Sequence, residues 1–173
     1  MIKENITSQL YQNYYQNDCT PPAIVSSYWR EMHQKAVVRM VNGQLSLKGY
    51  AFGNMQQVSW PYRFFSWATI GSYFFLINNR LAVFKMMPRA MRAASRMGLP
   101  FTYDCFRQVC SLVLIMKHKP LKRWDTLSVL CIGDGYGLLS GLIKDVLPKA
   151  RIVLVDLGKT LLFQTHFLQR AFP

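Results

Sequence analysis

Three glycines and one acid carry the chemistry that the residue types and spacing of this chain can support. Gly133, Gly135 and Gly137 alternate in the run IGDGYG, Ile132 to Gly137. Asp156 follows about 20 residues past the turn, the spacing at which an acid meets the hydroxyls of a ribose. The glycines let a backbone turn sharply and approach a ligand with no Cβ in the way. The pattern is GxGxG, not the GxGxxG of a dinucleotide fingerprint: Leu138 and Ser140 stand where a sixth-position glycine would fall. There is no Walker lysine with its Ser/Thr partner, so a P-loop is excluded.

These residues need elements to position them. Leu127 to Ile132 is an apolar, β-branched run bounded by turn residues and predicts a strand buried on both faces. Leu138 to Leu147 predicts a helix, and Arg151 to Val155 a second buried strand ended by Asp156. Strand, glycine turn, helix, strand and acid form the first half of a nucleotide-binding α/β unit. The same segment folded without binding any cofactor is the plainer alternative.

The segment resembles the class I S-adenosylmethionine-dependent methyltransferases, through IGDGYG and through VLVDLGKTLLFQTHFL (Val153 to Leu168). Its phrasing is most similar to the sugar O-methyltransferase family, whose turn reads IGGGYG and whose second strand ends in a VDLPETL-like run. SSYW (Ser26 to Trp29) and LPFTYDCFRQV (Leu99 to Val109) also look like that family's helical N-terminal region. The resemblance implies that Gly133, Gly135 and Gly137 line the methionine and ribose of S-adenosylmethionine, with Asp134 and Tyr136 completing the turn. It implies that Asp156 accepts the ribose hydroxyls and that Leu157 lies against the adenine. Three positions depart from the family pattern. Cys131 replaces an acid at the end of the first strand, Asp134 replaces a glycine, and Gly158 replaces a proline.

Upstream, residues 5 to 17 predict a short polar helix ended by Pro21 and Pro22. Ser26 or Ser27 caps a helix to about Val41, stopped by Asn42-Gly43. Residues 44 to 62 are ambiguous, with Gly49, Gly53 and Pro61 arguing for loops. Residues 63 to 78 predict an aromatic, fully buried helix. The apolar stretch Phe64 to Ile77 falls short of the roughly 20 residues of a membrane span, with interfacial contact the lesser alternative. Pro88 interrupts, and a helix from Pro88 ends at Gly98 and Pro100. It carries Arg89, Arg92 and Arg96 as one stripe. Thr102 caps a further helix, about Tyr103 to Met116, in which Asp104 favours the helix dipole and pairs with Arg107.

The chain has 173 residues and a net charge of +13, from 21 basic and 8 acidic side chains. Residues 80–123 hold 10 of the basic residues and 1 acidic, so this block alone supplies +9. Such a block attracts phosphates, anionic lipid or nucleic acid, or is simply a solvated face. Hydrophobic residues make up 51% of the chain, a composition that argues against intrinsic disorder. Cys19, Cys105, Cys110 and Cys131 form no CxxC pair and have no histidine cluster beside them. That usage points to a reducing, cytoplasmic setting and to no metal site. No apolar signal core opens the chain.

The expected architecture is α/β: a mainly helical N-terminal domain, residues 1–123, then the start of a Rossmann-like domain, residues 124–173. The remaining strands of such a sheet would lie past Pro173. The chain therefore reads as the N-terminal portion of an O-methyltransferase, inactive by itself, with no residue assignable as catalytic base. The expected partner is a sugar or glycan acceptor, free or nucleotide-linked, and a homo-oligomer is compatible with the sequence. A nucleic-acid methyltransferase is disfavoured, because the basic block lacks interleaved aromatics for base stacking. A non-catalytic protein that binds an anionic partner through residues 80–123 is the other class of reading.

Overall fold

The computed structural model describes residues 6–16, 31, 34, 37–41, 44–48, 59–118, 127–156 and 158–173. The chain is mixed α/β. Among the described residues its elements are α1 (Ile6–Gln16), β1 (Val37–Val41), β2 (Gln44–Lys48), α2 (Trp60–Leu76), α3 (Arg80–Met97), α4 (Tyr103–His118), β3 (Ser128–Ile132), α5 (Leu138–Val146), β4 (Arg151–Val155) and α6 (Gly158–Ala171). Among the described residues, β1 and β2 form an antiparallel hairpin, and β3 and β4 a parallel pair.

The hairpin corrects the helix expected to reach Val41. Val41 pairs with Gln44, which leaves Asn42-Gly43 between the two strands. Asn-Gly favours a two-residue hairpin turn as readily as a helix stop. The β-branched Val37, Val38 and Val41 decide for the strand. The expected caps Ser26 and Ser27, Cys19, and the basic residues 119–123 lie outside the described residues.

Pro88 does not interrupt. It lies inside α3, on its solvent side, and the break falls earlier, at Ile77-Asn78-Asn79. The far end of α3 is closed by Gly98 at φ 75°, where the Gly98 and Leu99 N–H groups donate to the carbonyls of Ser95 and Ala94. This pair of bonds is the Schellman arrangement, and it needs the left-handed conformation that glycine tolerates. A Cβ at Gly98 would meet the Arg170 guanidinium at 2.9 Å, so the turn is also pressed against α6.

α2 is not the buried helix that its composition suggests. Only Ser66 and Ile70 are buried, while Phe65 and Phe75 are each 68% exposed. Pro61, expected in a loop, falls in the first turn of α2, where its missing N–H costs nothing. The helix is anchored through Ser66, whose Oγ accepts the Tyr103 backbone N–H at 2.7 Å. One of the orphan donors at the start of α4 is thus satisfied from another helix. Thr102, expected to cap α4, turns its hydroxyl to the Cys105 thiol at 3.7 Å instead. Asp104 and Arg107 do pair, at 3.2 Å, on the exposed side of α4.

One hydrophobic core runs through both halves of the chain. It joins Val83, Ala90, Ala93 and Met97 of α3 with Phe106, Val109 and Leu112 of α4, Leu142 of α5, and Phe163 and Phe167 of α6. α3 packs on α4, α5 and α6, and α1 on α6. Arg96 of α3 reaches Asp145 of α5 at 3.7 Å.

The two parallel strands differ from the expectation of burial on both faces. Val129, Cys131, Ile152 and Leu154 face the helices. Leu130, Ile132, Val153 and Val155 face outward, with Ile132 at 72% exposure. Period-two alternation decides this: one face of the pair meets α5 and α6, and the described residues leave the other open.

Candidate cofactor site at the glycine turn

The turn sits on the crest of the parallel pair, where the carboxyl ends of the strands point. The Gly133 N–H donates to the Val155 carbonyl at 3.0 Å, which ties the start of the turn to the end of β4. Gly133, Gly135 and Gly137 have φ of 69°, 61° and 78°. The three glycines named from the pattern all occupy the left-handed region that side chains other than glycine rarely adopt. A Cβ on Gly133 or Gly135 would meet nothing within 4 Å. The backbone there borders open space, and a ligand can approach it directly. At Gly137, the N-cap of α5, a Cβ would meet Leu168 at 3.2 Å, so that glycine serves packing.

Asp134 and Asp156 hold the turn from two sides. The Asp134 carboxylate accepts the Leu139 N–H at 3.1 Å and the Ser140 N–H at 2.8 Å. It therefore caps the positive end of α5 from within the chain. Asp156 Oδ2 accepts the Gln164 side-chain amide at 2.7 Å and the Gly135 N–H at 3.4 Å. Gln164 of α6 is 1% exposed, and its Oε1 has no hydrogen-bond partner. The sequence reading missed Gln164. Its signal is a polar side chain on the buried face of α6, in line with Phe163 and Phe167. Tyr136 packs edge-on against Phe167 at 6.0 Å between ring centroids. Leu157 lies outside the described residues.

Burial pushes the Asp134 carboxyl above its ordinary value of 3.8, outweighing the N–H bonds that pull it down. The folded chain then holds that proton more tightly than the unfolded chain does. Stability attributable to this group falls as pH rises from 3.8 through the raised value, and the loss is complete above it. The expected result is that wild type loses stability relative to Asp134→Asn across that window, measured by urea unfolding at a series of pH values. A relative gain with rising pH would contradict the assignment.

The departures from the family pattern have physical settings. Cys131 is buried against the helices, and burial raises its thiol, which disfavours a reactive thiolate. Gly158, at the start of α6, is backed by the ring of Tyr14 from α1, and a Cβ there would collide with it.

Two hollows border this region. One of about 40 Å³ lies between Asp134 and Tyr136 of the turn, Leu138 at the start of α5, and Pro100, Thr102 and Gln108 at the α3–α4 junction and on α4. The helical half thus faces the turn directly. The other, about 250 Å³ and largely apolar, lies beneath the sheet between Ile152, Leu154, Leu168 and Phe172, away from the open backbone of Gly133 and Gly135. Among the described residues, no three or more His, Cys, Asp or Glu side chains cluster as metal ligands. No helix among them is long and apolar enough to cross a membrane. Comparison with protein-family models, with curated proteins and with solved structures finds no match to this chain.

Proposed function

We propose that the chain binds S-adenosylmethionine at the glycine turn and serves O-methyl transfer to a sugar or glycan hydroxyl. The observation that carries this reading is the open, positive-φ backbone of Gly133 and Gly135 on the strand crest beside Asp156. Class I methyltransferases, which the sequence resembles, place their cofactor over such a crest.

Asp134 adds a discriminating argument. A dinucleotide site needs the helix N-terminus free to receive a pyrophosphate. Here the Leu139 and Ser140 N–H groups already hold a carboxylate. A pyrophosphate would have to displace that carboxylate or lie against it, charge to charge. S-adenosylmethionine carries no phosphate and a positive sulfonium, so it avoids that conflict.

In this reading the cofactor supplies a methyl group already activated on sulfur. The residues of the chain hold and orient it: Asp156 at the ribose, and the Gly133–Gly137 backbone along its length. The acceptor hydroxyl attacks in line, which demands position before chemistry. Asp134 and Asp156 are both hydrogen-bonded into the fold, so neither is assigned as the general base.

The test is thermal stabilisation. A ligand at about a hundredfold excess over its dissociation constant adds about 2.7 kcal/mol to the folded state. S-adenosylmethionine is expected to raise the midpoint of wild type and to leave Gly135→Val unshifted. At Gly135 a β-branched side chain would enter both the left-handed region and the ligand space. Stabilisation by NAD and none by S-adenosylmethionine would overturn the reading.

A further inference from the structure

Cofactor binding leaves unused the outward face of α2 and of the α3 segment following it. On α2 the stripe Pro61, Phe64, Phe65, Ala68, Phe75 and Leu76 recurs at helical spacing, opposite the buried Ser66 and Ile70. Trp60, at the start of the same face, is 76% exposed and stacks on Phe64 at 6.0 Å. The polar groups between these side chains are turned inward. Thr69 Oγ1 donates to the Phe65 carbonyl at 2.8 Å, and Ser72 Oγ to the Ala68 carbonyl at 3.0 Å. With those hydroxyls satisfied within the helix, little is lost when the face leaves water.

The apolar face continues onto α3 and there becomes basic. Phe74 contacts both Phe75, at 6.2 Å, and Phe84, at 6.5 Å, so the end of α2 and the start of α3 are contiguous. Leu81, Phe84, Lys85, Pro88 and Arg92 fall on one side of α3, opposite its buried Val83, Ala90 and Met97. Arg89 and Arg96 flank that side. From Ser59 to Gly98 the charged side chains are Arg63, Arg80, Lys85, Arg89, Arg92 and Arg96, with no acid among them.

We infer that this face docks on the interface of an anionic lipid bilayer. Exposed Trp, Phe and Leu beside Lys and Arg is the composition that lies in the headgroup region with its apolar side toward the acyl chains. Neither helix is long and apolar enough to span, so the contact is a surface one. The charge separates the possible occupants. A second copy would bring Lys85 and Arg92, flanked by Arg89, against the same residues with no acid of this face to meet them, which is unfavourable. A nucleic acid would satisfy the arginines but would leave the contiguous Phe64, Phe65, Phe75, Leu76 and Leu81 surface largely unmatched. An anionic bilayer matches both.

The experiment is cosedimentation of the full chain with vesicles of phosphatidylcholine alone and of phosphatidylcholine containing phosphatidylserine, with tryptophan emission read in parallel. The expected result is partition onto the phosphatidylserine vesicles that weakens with salt, with a blue shift lost in Trp60→Tyr. Two variants separate the contributions, and circular dichroism checks that both are folded. Phe75→Ser with Phe84→Ser removes apolar contact. Lys85→Glu with Arg92→Glu reverses charge, and each pair should weaken binding by more than about tenfold. All four positions are solvent-exposed, so the fold should survive. No partition at low salt would overturn the inference. So would binding unchanged in both variants, a dimer that Phe75→Ser with Phe84→Ser dissociates, or displacement from vesicles by duplex DNA with the serine variant unaffected. None of these results depends on S-adenosylmethionine.

Discussion

Phe167→Ala should lower the stability of the folded chain by about 3–5 kcal/mol, the usual cost of emptying a buried aromatic site. For a chain of this size that corresponds to a fall in midpoint on the order of 10 °C. Phe167 is fully buried, with its ring against Tyr136 of the glycine turn and His166 of its own helix. It lies on the face of α6 that also buries Leu162, Phe163 and Gln164, and α6 packs on α1 and α3. The size of the effect decides whether α6 is part of a shared core or a terminal helix laid on the surface. A loosely docked helix would lose less than about 1 kcal/mol. Phe64→Ala is the control: the same chemical change at an exposed ring should move stability by no more than about 0.5 kcal/mol. Chemical denaturation of the two variants measures both.

The second large effect is at Asp156. Asp156→Ala should cost about 1–3 kcal/mol, because it strands a buried amide donor. The Gln164 amide would lose its 2.7 Å bond to the carboxylate, and Gln164 Oε1 already has no partner. A buried Gln with neither end satisfied is worse than an apolar side chain of similar size. The double variant Asp156→Ala, Gln164→Leu should therefore recover much of the lost stability. It should not recover binding of S-adenosylmethionine, since the proposed ribose acceptor remains absent. Recovery of both would mean that Asp156 serves only to hold α6. Recovery of neither would mean that the carboxylate supports the turn chiefly through Gly135. Urea unfolding and calorimetric titration of the three variants distinguish these outcomes.

The parts of the fold that were legible in the sequence are those where one residue type has one physical use. Gly133, Gly135 and Gly137 could be named because a left-handed backbone selects glycine, and all three have positive φ. Gly98 closes its helix for the same reason. Where a signal has two uses, the sequence reading chose the wrong one. Asn42-Gly43 ends helices and turns hairpins, and the adjacent valines favoured the hairpin. The aromatic run of α2 matched a buried helix by composition alone, yet composition does not say how many neighbours a helix has. Only Ser66 and Ile70 found cover. The outward face of β3 and β4 was misread for the same reason.

At the site, the positions were legible and the contacts were not. Asp134 stood out as an unusual residue within the turn, but its carboxylate could have pointed to solvent, ligand or helix. Its bonds to the Leu139 and Ser140 N–H groups depend on side-chain torsions that no spacing encodes. Gln164 lies 8 residues beyond Asp156, inside a helix and outside any motif. Its role appears only once α6 folds back over the crest. Ser66 and Tyr103 are 37 residues apart, and their bond follows from the packing of α2 on α4.

Titration of the ¹⁵N-labelled chain with S-adenosylhomocysteine, followed through backbone amide shifts, reads whether a ligand lies along the open backbone of the glycine turn. The expected result is that Gly133, Gly135, Tyr136 and Asp156 move together and saturate, while α2 stays unchanged. Shifts confined to α2 and α3, or no saturable shift at the turn, would contradict binding there.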